Sequence, residues 1–159
     1  MIYWLDTNVF IQAKNKTYKF DLFPQVWAFL AEQFELGNTK CPKLVYDELT
    51  VGTDELANWC KSRKSTGMRT NSDKNVQDAY NKVATHVVTN YPPQHANVFL
   101  RGADGWVIAH AMATKGTVVT LEEHVAQTVR VKIPTVCRDL GVRCIDTYQM
   151  LTELNYGKK

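Results

Sequence analysis

The amino-acid sequence predicts an α/β fold in which a mainly parallel sheet lies between two layers of helices. Short apolar runs without polar alternation, such as residues 2–5 and 117–121, are typical of strands that are buried on both faces. Segments with helical periodicity alternate with these runs, which is the order that a parallel sheet requires. At 159 residues, with 45% apolar and 22% charged residues, the chain has the size and composition of one globular domain. We therefore expect a single three-layer α/β/α domain over residues 1–159.

Local signals place the elements of the first half of the chain. Asp6, Thr7 and Asn8 directly follow the first apolar run and are residue types that begin helices. Pro24 suits the first turn of a helix, and Gly37 is placed to end that helix. The predicted elements are a strand at 2–5, a helix at 24–37, a short strand or extended segment at 44–46, a helix opened by residues 47–49, a helix at 54–64, a polar loop at 65–74 and a helix at 75–89.

The second half of the chain continues the alternation. Asp104 lies in the first turn of a predicted helix that Gly116 ends, and the β-branched run after it predicts a strand. Gly141 is placed to end a short helix before the last strand. The predicted elements are a helix at 103–116, a strand at 117–121, a short helix at 138–141, a strand at 142–145 and a helix at 147–154.

Composition and motifs argue against several classes of protein. No apolar run approaches the roughly 18 residues that cross a membrane, and the N-terminus has no secretory pattern, so we expect a cytoplasmic protein. The four cysteines form no C-x-x-C pair and are expected to be free thiols. There is neither a P-loop nor a G-x-G-x-x-G motif, which argues against a nucleotide-cofactor enzyme.

Two basic clusters accompany the net charge of +3. Lys61, Arg63 and Lys64 belong to one polar stretch, and Arg130 and Lys132 belong to another. Such clusters could contact the phosphates of RNA. They could equally be solvated surface, which is where most lysine and arginine side chains lie.

Four carboxylates are predicted at one edge of the sheet. Asp6 and Glu122 follow strand ends, while Glu48 and Asp104 are placed where helices start. In a parallel α/β sheet these positions meet at the carboxyl edge, where ligands bind. Crowded carboxylates cannot all stay ionised without compensation, and Mg²⁺ or Mn²⁺ takes oxygen ligands. Asp6, Asp104 and Glu122 are therefore candidate ligands of such an ion, which suits phosphodiester hydrolysis, and Glu48 completes the candidate catalytic set. The neighbouring groups that could orient these acids by hydrogen bonding belong to Thr7, Asn8 and Thr120.

Each of these acids also has an interpretation without function. Asp6 and Asp104 could be helix caps or first-turn acids, which helices favour in any protein. Glu48 alone could be a surface glutamate. Glu122 and Glu123 compete for the fourth position, and Glu122 is favoured because it lies closer to the end of the strand.

Four segments resemble the acidic motifs of PIN domains, in the order in which that family has them. Residues 5–11 (LDTNVFI) resemble the first motif, in which a strand ends in aspartate before an apolar helix. Residues 46–49 (YDEL) resemble the second, and residues 103–109 (ADGWVIA) resemble the third, A-D-x-x-[IL]-A. Residues 118–122 (VVTLE) resemble the fourth, in which T-x-D or T-x-E follows a strand. Together these segments span most of the chain.

The resemblance implies a PIN-type fold and a metal-dependent endoribonuclease that uses Mg²⁺ or Mn²⁺. Many PIN relatives are toxins of type II toxin–antitoxin pairs, so the resemblance also implies a small antitoxin protein as partner and, by analogy, a homodimer. The chain departs from the family in two respects. Its fourth acid, Glu122, replaces the commoner aspartate, and its length predicts a helical elaboration around residues 50–100.

Two other functions remain open. A PIN-like chain without catalysis would bind RNA or a protein partner, and that binding would not depend on metal or on the acidic residues. A metal-dependent phosphatase or DNA nuclease is the other alternative. Parallel assays with RNA, DNA and phosphomonoesters separate these reactions.

Overall fold

A four-stranded parallel sheet forms the centre of the protein in a computed structural model that describes residues 1–158. The strands are β1 (Tyr3–Leu5), β2 (Thr39–Lys40), β3 (Thr117–Val119) and β4 (Arg143–Ile145), and they lie in the order β2-β1-β3-β4. Every pairing between neighbouring strands is parallel, as predicted. The predicted domain runs to residue 159, which lies outside the described residues.

Helices occupy most of the chain between these strands. In chain order they are α1 (Thr7–Gln12), α2 (Pro24–Leu36), α3 (Lys43–Leu49), α4 (Glu55–Lys61), α5 (Lys74–Asn90), α6 (Pro93–Arg101), α7 (Asp104–Thr114), α8 (Ile133–Leu140) and α9 (Thr147–Glu153). A π-helical turn over residues 13–17 continues α1. Gly37 and Gly141 end α2 and α8 in the left-handed conformation, with φ values of +77° and +70°, as their positions predict.

The helices form layers on both faces of the sheet. Trp4 of β1 packs on His110 of α7, with 4.3 Å between the ring centroids. Its neighbour Tyr3 donates a hydrogen bond to Glu153 of α9, with 2.7 Å between Oη and Oε2. Because successive strand residues point to opposite faces, α7 and α9 cover opposite sides of the sheet. The predicted three-layer α/β/α arrangement is confirmed.

The register of the two central strands determines which residues leave the sheet together. Leu5 at the end of β1 is paired with Val119 at the end of β3. Asp6, the residue directly after β1, donates its backbone N–H to Val119 O at 3.0 Å. Thr120 follows β3 at the same level and donates its backbone N–H to Ile145 O at 3.1 Å. The carboxyl edge of the sheet therefore brings Asp6 and Thr120 side by side.

One predicted strand is wrong, since residues 44–46 lie inside helix α3. Pro42 has an extended backbone, with φ −57° and ψ 152°, and precedes the first helical residue. Lys43 forms an ion pair with Asp47 one turn later, with 2.6 Å between Nζ and Oδ2. A short apolar run does not distinguish a strand from one buried helical turn, and the edge strand β2 is instead a polar pair of residues.

Helix α6 is not predicted by the sequence signals described above. Pro93 stops the preceding helix but also takes the first position of α6, where its missing N–H costs nothing. Ala96 and Phe99 are buried one turn apart and attach α6 to the core. Residues 50–100 thus contain α4, α5 and most of α6.

Two other expectations concern the cysteines and membranes. All four cysteines are free, as predicted, and three of them are buried. Within residues 1–158, no helix has the length and apolar character that would let it span a bilayer.

Candidate active site

Asp6 is a buried carboxylate at the carboxyl end of β1, with 1% of its surface exposed. It directly precedes α1, but its side chain makes no capping hydrogen bond to that helix. Its Oδ2 instead accepts a hydrogen bond from Thr120 Oγ1 at 3.1 Å. Burial raises the pKa of Asp6 to about 6, the Thr120 hydrogen bond opposes this, and the charges of Glu122 and Glu48 raise the pKa further.

Asp104 is the first residue of α7 and is half-buried. Burial raises the pKa of Asp104 to about 7, and the charges of Asp6, Glu122 and Glu48 act in the same direction. Lys132 lowers this pKa. A carboxyl group whose pKa is near neutrality lacks compensation for its charge, so a positive charge close to Asp6 and Asp104 would stabilise their ionised forms.

Glu48 joins three elements of the carboxyl edge. It lies in the last turn of α3, so its predicted position at a helix start is wrong, because the helix begins at Lys43. Its Oε2 accepts a hydrogen bond from Thr7 Oγ1 of α1 at 2.5 Å. Its Oε1 accepts one from the backbone N–H of Ala103 at 3.2 Å, directly before α7. The exposed Glu48 carboxylate therefore connects the start of α1, which follows Asp6, with the start of α7, which begins at Asp104.

Glu122 closes the loop between β3 and α8. Its Oε2 accepts a hydrogen bond from the backbone N–H of Ile133, the first residue of α8, at 2.9 Å. Its own N–H donates to Thr120 Oγ1 at 3.2 Å. The charge of Glu122 raises the pKa of both Asp6 and Asp104, whereas the side chain of Glu123 is exposed.

Two clefts open beside Glu122. The smaller, about 270 Å³, is lined in part by Asn8 of α1, which is exposed and makes no side-chain hydrogen bond within residues 1–158. The larger, about 440 Å³, has Asp104 at one end and contains Arg130 and Lys132. The structure therefore brings these two predicted basic residues next to the acids.

The other basic cluster lies at the end of α4 and lines neither cleft. Lys61 Nζ donates to Gly52 O at 2.9 Å. Arg63 donates from Nη1 to Trp59 O at 2.9 Å, and its guanidinium lies over the Trp59 ring, 4.3 Å from the centroid. Lys64 is exposed. Lys61 and Arg63 thus have local structural contacts, and a role for this cluster in binding RNA stays a prediction.

The charges of Glu48 and Glu122 act on both Asp6 and Asp104, but the four carboxylates do not form a complete ligand set. Among residues 1–158, no three His, Cys, Asp or Glu side chains lie close enough to hold one ion in common. Glu48 and Glu122 each use carboxylate oxygens to accept the hydrogen bonds described above. Mg²⁺ commonly binds through only one or two carboxylates and keeps several waters, so the all-oxygen chemistry of Asp6 and Asp104 fits such an ion.

One residue of the larger cleft has no assigned role in the sequence analysis. His95 of α6 lines the cleft near Asp104 and Glu122, while its position in the sequence predicts only a structural or surface histidine. No pattern along the chain connects His95 to Asp104. The signal that could have found it is the proline pair before it, which is compatible with a new helix as well as with a stop.

The chain matches one family model and several solved structures. A family model described as a domain of unknown function (DUF4411) matches residues 3–157. A search of curated proteins finds no match. Among solved structures, VapBC2 from Rickettsia felis bound to a DNA fragment from their promoter matches with a TM-score of 0.56 and 17% identity, covering 92% of this chain and 98% of that chain.

Two further solved structures match over a similar length. VapBC-1 from nontypeable Haemophilus influenzae has a TM-score of 0.55 and 18% identity, covering 92% of this chain and 98% of that chain. FitAcB from Neisseria gonorrhoeae has a TM-score of 0.55 and 19% identity, covering 92% of this chain and 99% of that chain. At this level of identity, the matches show a common fold.

Proposed function

The chain belongs to the family described as DUF4411 and has the PIN-domain fold, and on this premise we propose that it is a Mg²⁺- or Mn²⁺-dependent endoribonuclease. The observation that carries the proposal is the crowding of carboxylates around Asp6 and Asp104 at the carboxyl edge of the sheet, where burial and the charges of Glu48 and Glu122 raise the pKa of both aspartates. The raised pKa values of Asp6 and Asp104 mean that a cation would be stabilised there. Parallel α/β sheets place ligands at this edge.

Asp6, Asp104 and Glu122 are the proposed metal ligands, either directly or through water. The bound ion would supply an activated water and neutralise charge on the phosphodiester. Thr120 holds Asp6 by its hydroxyl hydrogen bond, which keeps one carboxylate oxygen in place. Thr7 fixes Glu48 in the same way, and the exposed Asn8 forms part of the wall of the neighbouring cleft.

We also propose that the protein is the cytoplasmic toxin of a toxin–antitoxin pair. The matched chains come from toxin–antitoxin complexes, which supports an antitoxin protein as partner. RNA is the proposed substrate, and a homodimer is the proposed assembly. The whole of residues 1–159 would act as one PIN-like domain, with α4, α5 and part of α6 as its elaboration.

Cleavage of RNA by the purified protein tests the nuclease assignment. A labelled single-stranded RNA is incubated with protein and Mn²⁺ or Mg²⁺, with EDTA in a parallel reaction. The protein should cleave RNA only with metal, and Asp6→Asn and Asp104→Asn should both abolish cleavage. Asp78→Asn is the matched control, because Asp78 lies on the surface of α5 and pairs only with Lys74. Cleavage that survives both active-site substitutions contradicts the assignment.

The hydrogen bonds of Glu48 and Glu122 favour one alternative, a PIN-like module that binds RNA or protein without catalysis. Both glutamates stabilise helix starts through backbone N–H groups, a role that needs no metal. This alternative predicts binding of RNA or a partner that is unchanged by EDTA and by Asp6→Asn. Offering DNA and a phosphomonoester in the same assay tests the other hydrolytic reactions.

A further inference from the structure

The larger cleft beside Asp104 differs from the rest of the acidic edge, because its other walls are basic and apolar. Asp104 and Glu122 form its acidic end. Arg130 and Lys132 contribute two cations, and residues of α6 contribute an apolar and aromatic wall. Its volume of about 440 Å³ lies within the range of roughly 300–1,000 Å³ that is usual for small-ligand pockets.

The hydrogen bond of Glu122 explains why the cations lie there. The Glu122 carboxylate and the Ile133 N–H join the two ends of a surface loop, and this closure brings Arg130 and Lys132 back to the acids. Neither cation has a carboxylate within 4 Å among residues 1–158, so neither is neutralised by an ion pair there. Lys132 nevertheless acts on Asp104, whose pKa it lowers. Both cations are thus available to an anion that reaches the acidic end.

The wall formed by α6 suits a flat ring. His95 is half-buried, and within residues 1–158 its ring makes no hydrogen bond. Val98 is 68% exposed, and Phe99 is buried beneath the wall with 4% exposure. A partly exposed imidazole beside exposed apolar surface is a platform on which a nucleobase can stack.

We propose that this cleft binds the nucleotide next to the scissile phosphodiester of single-stranded RNA. Arg130 and Lys132 contact the backbone phosphates, and the base stacks on His95 beside Val98. In this arrangement the phosphates lie at Arg130 and Lys132, and the scissile bond lies near Asp104. The inference rests on the proposed function, since it assumes that the acidic end is where RNA is cut.

Binding measurements without cleavage test the basic wall. Fluorescence anisotropy with a labelled single-stranded RNA octamer is measured in EDTA, over a range of salt concentrations. Arg130→Ala/Lys132→Ala should weaken binding about 10-fold or more and reduce the salt dependence by about 1.4 in log–log slope, as expected when two phosphate contacts are lost. Lys16→Ala/Lys19→Ala is the matched control, because it removes two exposed cations elsewhere and should change binding less than twofold.

A second pair of variants tests the base platform. His95→Ala should weaken binding about fivefold or more, and His95→Phe should restore it, because a phenyl ring also stacks on bases. The same octamer is also prepared as a set, each RNA with one abasic position. At the position that occupies the cleft, the abasic RNA should bind wild type more weakly, and His95→Ala should then cause no further loss. Equal thermal stability of the His95 variants excludes a folding defect.

The outcomes separate this inference from the nuclease assignment. The cleft proposal is overturned, and the nuclease assignment stands, if the protein cleaves RNA but two changes have no effect. These are that His95→Ala binds and cleaves RNA as the wild-type protein does, and that the abasic RNAs are bound and cleaved as the intact RNA is. If binding depends on His95 and Arg130 but no RNA is cleaved with metal, the nuclease assignment fails, and the cleft is an RNA-binding site that is not next to a scissile bond. Lys61→Ala/Lys64→Ala is measured alongside. If that variant loses affinity for RNA and Arg130→Ala/Lys132→Ala does not, RNA binds at the end of α4 and the proposal is overturned.

Discussion

The two aspartates and the two glutamates of the acidic edge differ in how the fold treats their charge. Asp6 and Asp104 are short side chains at the sheet edge, and burial raises the pKa of each. Glu48 and Glu122 are longer, reach across to neighbouring elements and accept hydrogen bonds from the backbone N–H groups of Ala103 and Ile133. The aspartates carry charge that the fold leaves uncompensated. The glutamates carry charge that the fold uses to connect its helices.

This difference separates the two aspartates, whose charge would attract a cation, from the two glutamates, whose charge also holds the site together. A carboxylate that accepts backbone N–H groups is stabilised in its ionised form without metal. A buried carboxylate with like charges nearby is stabilised only when it binds a proton or a cation. We therefore expect substitutions of the aspartates to affect metal binding and catalysis most, and substitutions of the glutamates to affect the hydrogen bonds that hold the site.

The largest effect should be on cleavage. Asp6→Asn and Asp104→Asn should each lower kcat/KM by about 10³-fold or more, because stabilisation by metal contributes several kcal/mol to such reactions. Glu48→Gln and Glu122→Gln should lower it only about 10- to 100-fold, since glutamine keeps an acceptor for the same backbone N–H. Steady-state rates on one RNA substrate measure both pairs. Equal losses in all four variants would break the distinction between aspartates and glutamates.

The next effect concerns the stability of the metal-free protein as pH changes. The folded-state pKa of Asp104 is raised to about 7, above its value in the unfolded chain. The folded protein therefore holds this proton more tightly, and stability falls as pH rises from about 4 to about 7 and then levels off. Asp104→Asn should remove this loss and stabilise the protein in EDTA at pH 8 by about 2 kcal/mol, allowing for the solvent exposure of Asp104.

Thermal unfolding in EDTA at pH 5 and pH 8 measures this effect. A gain of about 2 kcal/mol corresponds to a rise in Tm of roughly 4–8 °C for a chain of this size, and the gain should be smaller at pH 5. Addition of Mn²⁺ at pH 8 should stabilise wild type but not Asp104→Asn. A variant that is less stable than wild type in EDTA at pH 8 would show that the Asp104 charge is already compensated within the protein.

The smallest effect should be the structural contribution of the Glu122 hydrogen bond. Glu122→Ala should lower the free energy of unfolding by about 1 kcal/mol or slightly more, because the Ile133 N–H at the start of α8 loses its acceptor. Glu122→Gln should keep most of this stability. Chemical denaturation of both variants in EDTA gives the comparison. If the alanine variant is as stable as the glutamine variant, the bond does not hold the loop.

Much of the candidate site can be predicted from the sequence, because its residues lie where strands end. Asp6 follows an apolar run that favours a buried strand, and Thr120 with Glu122 follows a β-branched run. Parallel pairing then brings these strand ends to one edge without further information. The elements that failed are those whose local signals are ambiguous. Residues 44–46 are apolar residues typical of a strand but lie in helix α3. Pro93 both ends one helix and begins another.

The atoms that each acid contacts depend on the tertiary structure. Glu122 and Glu123 are adjacent and chemically identical, and the fold distinguishes them by the hydrogen bond that Glu122 accepts from the distant Ile133 N–H. The two basic clusters also look alike in sequence, yet Arg63 stacks on Trp59 while Arg130 lines the cleft beside Asp104.

Local pattern and strand order are enough to predict the parallel α/β fold, the PIN resemblance and the positions of the two aspartates. The structure decided that Glu48 and Glu122 join helix starts and that His95 reaches the site. Those contacts join residues far apart in the chain, and no local pattern encodes them.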